Sequence, residues 1–248
     1  IVDLRVFRHR GFSMAVLTIS LAFAAFFAVN VLTPLWLQSF MGYTATLAGL
    51  VTAWTGLFAL FVAPAAAGLA ARVDPRRLIF GGVFWMGVIT FWRAFATTDM
   101  GYWDIALPLM FMGLGLPFFF IPTTGLALAS VEPQEMDNAA GLMNFLRTLS
   151  GAAAVSVVNT AWENGTTRKH ADLVGLSDAG GEVLHGLQQS GMSPDAALSA
   201  LDQLITSQSV MLATNRIMLL IGVAFIVAAF AIWLAPKPKR AVEASGGH

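Results

Sequence analysis

Two arginines, Arg93 and Arg147, stand inside long apolar runs of the chain. A charge at membrane depth is costly and marks a functional or structural site by default. Arg147 lies about nine residues into its run, roughly 13 Å along a helix at 1.5 Å per residue, too deep for comfortable snorkelling. Asn144, Arg147 or Thr148, Gly151 and Val155 follow the 3–4 spacing of one helical face. The resulting polar stripe suits either a substrate pathway or a guanidinium bonded to carbonyls of a neighbouring helix. Arg93 is nearer the end of its run, where snorkelling or pairing with Asp99 or Asp104 gives it a structural role. Asn30 and Gln38 are neutral polar groups in a third run; they can touch a substrate, but interhelical hydrogen bonding is their commoner use.

Other chemistries lack their residues. The sequence has no HExxH, no GxSxG and no phosphate-cradling GxxxxGK[ST]. Gly113-Leu114-Gly115 is a fragment of a glycine-rich loop inside an apolar run. An intramembrane enzyme needs paired acids or a Ser/His pair at depth, whereas no Asp or Glu occupies the middle of a run, so the chain reads as no enzyme. His9, His170, His185 and His248 lie outside the runs with no metal-ligand spacing, and the absence of cysteine removes thiolate sites and disulfides. No cofactor is expected. Fourteen basic and fourteen acidic side chains cancel, so no global field attracts nucleic acid.

The elements that carry these residues follow from composition. Hydrophobic residues make up 57 % of the 248, charged residues 11 %, and the mean hydropathy is +0.72. A soluble domain carries about a quarter charged residues. Here the charges collect between apolar runs of roughly 20 residues, the length that crosses a hydrocarbon core of about 30 Å. Six spans are expected, at 12–38, 45–71, 78–96, 104–130, 138–162 and 211–234, giving an all-α membrane protein. Small residues in the second span (Gly49, Ala53, Gly56, Ala63, Ala66, Ala67) and the fifth (Gly141, Gly151 to Ala154) suit helix packing. Gly113, Gly115, Pro117 and Pro122 in the fourth suit a kink, for packing or to line a cavity. Phe118, Phe119 and Phe120, with Trp54 and Trp85, suit an aromatic cavity or a lipid-facing surface.

Arg5, Arg8 and Arg10, then Arg72, Arg76 and Arg77, then Lys237, Lys239 and Arg240 fall on one side if the spans alternate. The positive-inside rule makes that side cytoplasmic, with both termini of the chain there. Residues 163–209 then form an outer loop or cap, with turns at Asn164-Gly165 and Gly180-Gly181 and a short amphipathic helix over 196–205 begun by Ser193-Pro194-Asp195. A start at Ile1, just before basic residues and a span, leads to the expectation of a longer parent protein.

Four stretches make the chain resemble the C-terminal half of EmrB/QacA-type drug:proton antiporters, the fourteen-span branch of the major facilitator superfamily. They are Val2-Asp3-Leu4-x-x-Phe7-x-x-Arg10-x-Phe12 with Gly42-Tyr43-Thr44-Ala45-Thr46-x-Ala48-Gly49-Leu50; Pro64 to Leu78; Phe91-Trp92-Arg93-Ala94; and Asn144-Phe145-x-Arg147-Thr148-Leu149-x-Gly151. Of the superfamily's inner-loop pattern G-x-x-x-D-R-x-G-R-R only Gly68, Arg76 and Arg77 fit; Arg72 and Pro75 replace its Asp and second Gly. The resemblance implies a six-helix bundle that works with an N-terminal half by alternating access, exporting hydrophobic or amphipathic toxic compounds across the bacterial inner membrane against proton entry. It also implies a periplasmic adaptor and an outer-membrane channel as partners in Gram-negative relatives, and proton-carrying acids in the N-terminal half. A non-transporting scaffold and a six-span permease of an ATP-driven exporter are the alternatives. Inner loops of only about seven residues at 71–77 and 131–137 argue against docking an ATPase.

Overall fold

In hydrocarbon a backbone N–H or C=O has no water to bond, so each apolar run closes its own hydrogen bonds as a helix. A computed structural model describes residues 4–97, 99–175 and 177–236. After a 3-10 turn at Leu4–Arg8 come α1 (Arg10–Ser39), α2 (Ala45–Ala70), α3 (Pro75–Arg93), α4 (Tyr102–Leu128), α5 (Met136–Gly175), α6 (Ser177–Gln189) and α7 (Pro194–Ala231). Local chemistry sets the starts. Thr44 accepts from Leu47 N at 3.2 Å, Asp74 from Arg76 N at 3.0 Å and Ser193 from Ala196 N at 3.3 Å. Proline follows two of these caps, where its missing N–H costs nothing.

α1, α2, α4, α5 and α7 are long and apolar enough to cross a membrane. The other expected span is α3, 19 residues long, about 28 Å at 1.5 Å per residue, and it lies between α4 and α7. The helices alternate in direction. Gly11 at the start of α1 approaches Ser130 and Pro236, His9 Nε2 lies 2.9 Å from Glu135 Oε2, and Arg76 reaches Ala235. At the opposite end Phe40 packs on Trp162 at 5.6 Å and Trp54 Nε1 donates to Tyr102 at 3.0 Å. Arg5, Arg8, Arg10, Arg72, Arg76 and Arg77 therefore share one end, as the charge pattern requires; Lys237, Lys239 and Arg240 lie outside the described residues.

The segment 163–209 departs from expectation. The turn expected at Asn164-Gly165 lies inside α5, which continues to Gly175, and Gly180-Gly181 lies inside α6. The helix expected over 196–205 is instead the first third of α7, continuous with the last span from its cap at Ser193. A helical glycine costs only about 1 kcal/mol relative to alanine, and at Gly165 packing offsets it: a Cβ there would lie 3.4 Å from the Ala213 Cβ on α7.

Glycines set the tightest crossings. A Cβ on Gly82 would sit 2.8 Å from the Gly115 carbonyl oxygen, and one on Gly115 2.9 Å from that of Gly82, so α3 and α4 touch backbone to backbone. Gly113 fits against the Thr55 carbonyl in the same manner, which joins α4 to α2. Gly113 and Gly115 are thus packing points within a continuous α4 that also holds Pro108, Pro117 and Pro122. A Cβ on Gly151 would lie 3.3 Å from the Phe27 ring, whereas one on Gly49, Gly56, Gly68 or Gly141 would meet nothing within 4 Å among the described residues. Part of the small-residue surface of α2 and α5 is therefore left unpaired.

Gly113→Ala should destabilise the protein by about 1–3 kcal/mol through overpacking, whereas Gly49→Ala in the open face of α2 should hold or raise stability. Melting temperatures of the two variants in one detergent, moving in opposite directions, check this.

Candidate functional site

Phe23, Phe26, Phe27 and Asn30 recur at helical spacing on α1, opposite Arg147, Thr148, Gly151 and Val155 on α5. Between them opens a cleft of about 620 Å³, lined by Phe23, Phe26, Phe27, Arg147, Thr148 and Val155 among others. The Arg147 guanidinium sits over the Phe23 ring, 4.8 Å from its centroid. Such a cation–π contact is worth about 0.5–2 kcal/mol, most when water is excluded. Phe23 also stacks on Phe27 at 5.3 Å and meets Phe120 of α4 edge-on at 5.0 Å, and Phe119 adjoins Phe120 at 4.9 Å. An aromatic wall drawn from α1 and α4 thus carries one cation.

No carboxylate pairs with Arg147 among the described residues. Thr148 returns its hydroxyl to the Asn144 carbonyl at 2.9 Å, and both residues are exposed. On α1, Asn30 Nδ2 donates to Phe26 O at 2.9 Å and Gln38 Nε2 to Pro34 O at 3.1 Å, both exposed. These bonds stay within α1 rather than joining helices. Asn30 shares the face of the cleft, while Gln38 lies two turns farther toward the end of the helix.

Arg93 is buried elsewhere. Its Nη2 donates to Thr33 Oγ1 at 2.5 Å, tying α3 to α1, and its Nη1 has no partner among the described residues beside a cavity of about 30 Å³ also lined by Asp104 and Thr214. The pairing expected with Asp99 or Asp104 does not form. Asp104 turns one oxygen to Gly101 N at 2.9 Å to cap α4, and the guanidinium faces inward rather than toward that end.

The loop motif also separates. Arg76 is buried, bonds Asp74 at 3.3 Å and Ala235 O at 2.9 Å, and lies 5.8 Å from the centre of the Trp233 ring. It fastens the start of α3 to the end of α7. Arg77 is exposed and lines a second cleft of about 300 Å³ with Trp85, Gly115 and Phe118, and Gly68 is open. Trp85 donates its Nε1 to Phe111 O at 2.7 Å and Trp54 its own to Tyr102, and neither lines the α1–α5 cleft, which Phe120 touches only through Phe23 and Phe26.

Sequence reasoning omitted one residue of the same kind. Arg216 stands five residues inside the expected last span and is exposed on α7. Its place near the end of an apolar run hides it, although a charge count along the run picks it out.

A family model for the Major Facilitator Superfamily matches residues 1–155. The chain belongs to that superfamily. It is 32 % identical over 252 residues to the multidrug export protein EmrB of Escherichia coli K12, covering 100 % of this chain and 49 % of that protein. It is 31 % identical over 252 residues to the fatty acid resistance protein FarB of Neisseria gonorrhoeae, with the same coverage. EmrB of Haemophilus influenzae is 32 % identical over 243 residues, covering 96 % of this chain and 48 % of that protein. The chain spans about half the length of these relatives. The superfamily is one of transporters rather than enzymes, and the chain is a multi-pass membrane protein of the EmrB type.

At the opposite end of α3 from Arg93, burial pushes the Asp74 carboxyl up, but the hydrogen bonds from Arg76 and the charges of Arg76 and Arg77 outweigh it, so its pKa falls below the ordinary 3.8. A depressed carboxylate pKa contributes stability that is present above the unfolded value and lost as pH falls through the folded one. Asp74→Asn should therefore melt below the wild type near pH 7, and the gap should close as pH drops below the usual carboxylate range. Melting curves of both proteins against pH check the sign.

Proposed function

We propose that the chain is the C-terminal six-span half of a proton-driven exporter of hydrophobic or amphipathic toxic compounds. It sits in the bacterial inner membrane with the Arg5, Arg76 and Arg77 end, and both termini of this chain, in the cytoplasm. The observation that carries the reading is the uneven burial of the helices. In the most apolar stretches of α1 and α4, 56 % of residues are buried, but only 22 % in those of α2 and α5. α5 is also the helix that leaves Asn144 and Thr148 exposed and Arg147 half-buried beside them. A face of that kind cannot rest against acyl chains; a second bundle, enclosing a wet cleft, satisfies it.

The α1–α5 cleft then forms one wall of a midplane site, and rocking of the two halves exposes it to each side in turn. Its aromatic residues offer contact to many apolar shapes, in keeping with the multidrug export of EmrB. Arg147 adds a receptor for a carboxylate, in keeping with the fatty acids named for FarB. Asn144, Thr148 and Asn30 supply neutral hydrogen-bonding groups along the pathway, while Arg93 and Arg76 hold helices in place. Arg76, with Arg77 and Gly68 nearby in sequence, latches the cytoplasmic helix ends during the cycle. The proton-carrying acids, the N-terminal half and the docking surfaces for a periplasmic adaptor and outer-membrane channel belong to the rest of the protein or to its partners.

Efflux of toxic compounds from cells lacking their own pumps tests this, using the natural-length protein at matched membrane levels. Arg147→Ala should lower export of carboxylate-bearing compounds by about tenfold or more, the effect of about 1.4 kcal/mol, and that of neutral compounds less. Export by Arg147→Ala at the wild-type rate for both classes would make the residue a packing group, and no export by the unsubstituted protein would favour a scaffold.

A further inference from the structure

Farther along α5, about 30 Å from Arg147 at 1.5 Å per residue, a second cleft of about 520 Å³ opens between α5 and α7. The bond from Trp162 Nε1 to Thr214 Oγ1, 2.9 Å, fixes how the two helices stand beside each other. On the bundle side of that bond the cleft is apolar, with Ala161, Ile217 and Leu220; beyond it come Asn164, Arg168 and Lys169. Arg216 sits at the boundary. Side chains lean toward the N-terminus of their own helix. α7 enters the bundle from this end, so Arg216 leans outward toward the polar part.

Among the lining residues Arg168, Lys169 and Arg216 oppose only Asp172, a net charge of +2. Lys169 satisfies Asp172 at 3.1 Å, and Asp202 is held by His170 at 3.4 Å. Both guanidiniums, Arg168 and Arg216, remain without a carboxylate partner among the described residues. Together α5 and α7 outrun the bilayer: each belongs to a 41-residue helical stretch, about 60 Å long against a hydrocarbon core of about 30 Å. The cleft therefore straddles the level where hydrocarbon gives way to head groups.

We propose that this cleft is a binding site for an anionic phospholipid of the surrounding bilayer. The paired forks of Arg168 and Arg216 take the phosphate oxygens, a geometry that guanidinium matches better than ammonium. Asn164 offers a neutral donor to the rest of the head group. The first methylenes of an acyl chain lie along Ile217 and Leu220, the latter 62 % exposed. The volume falls within the range of small-molecule sites, about 300–1,000 Å³. The site is separate from the α1–α5 cleft and does not depend on what that cleft transports.

Native mass spectrometry of the natural-length protein, titrated in mild detergent with phosphatidylglycerol or phosphatidylcholine, tests the site. The wild type should bind phosphatidylglycerol preferentially. Arg168→Gln and Arg216→Gln should each cost about fivefold in that preference, and the double variant should abolish it. Arg72→Gln, exposed at the opposite end, should leave it intact. In a second arm, photoactivatable phosphatidylglycerol on the wild type should label peptides covering 161–172 and 213–220. Retained preference in the double variant, labelling confined to other helices, or displacement of the lipid by inorganic phosphate at equal concentration would each overturn the proposal, the last by showing a site for a free anion.

Discussion

A guanidinium at the depth of Arg147 cannot be solvated by hydrocarbon, and its cleft supplies one aromatic face but no carboxylate. The remainder of its solvation must come from water or from another protein surface. Much else in the bundle follows from that requirement. α5 keeps its apolar side toward α1 and α7, where Val158 and Trp162 are buried, and leaves the polar stripe outward. α1 meets it with phenylalanines rather than acids, so Arg147 is held by its ring contact without being neutralised. Arg93 shows the opposite treatment: it is enclosed by α1, α4 and α7 and bonded to Thr33, where it serves as a tie.

The same constraint governs the packing. Lipid offers no hydrophobic drive for helix association, so α4 gains its contacts by backbone approach at Gly113 and Gly115, against Thr55 of α2 and Gly82 of α3. A rigid α2–α4–α3 layer results, with α1, α5 and α7 packed beside it. The open small-residue surface of α2 and the polar surface of α5 both lack a neighbour among the described residues. The partner half proposed above would cover both.

Much of this was legible in the sequence. Span lengths follow from hydropathy because a helix must cover a fixed thickness, and five of the six spans stand out by that criterion alone. Arg147 and Arg93 are visible because charge is rare in such runs. The long-range partners were not. The contact of Arg147 with Phe23 joins residues far apart in sequence, and nothing in local spacing distinguishes Phe23 from the other phenylalanines of α1. Nor does spacing reveal that Arg93 bonds Thr33 rather than an acid. The polar extension of α5 and α7 was hidden for another reason: glycines at 165, 180 and 181 signal turns locally, and the packing that offsets this at Gly165, against Ala213, is not visible in local sequence.

Accessibility of the polar face of α5 tests the central claim most directly. The chain has no cysteine, so a single cysteine at Thr148, in a natural-length protein free of other cysteines, reports on that face alone. Val227, exposed on α7, serves as a lipid-facing control. The account predicts that Thr148→Cys reacts with a water-soluble, membrane-impermeant maleimide, that Val227→Cys does not, and that a hydrophobic export substrate slows the reaction. If Thr148→Cys is inert to that reagent but reacts with a maleimide carried on an acyl chain, the face meets lipid, and the account is wrong.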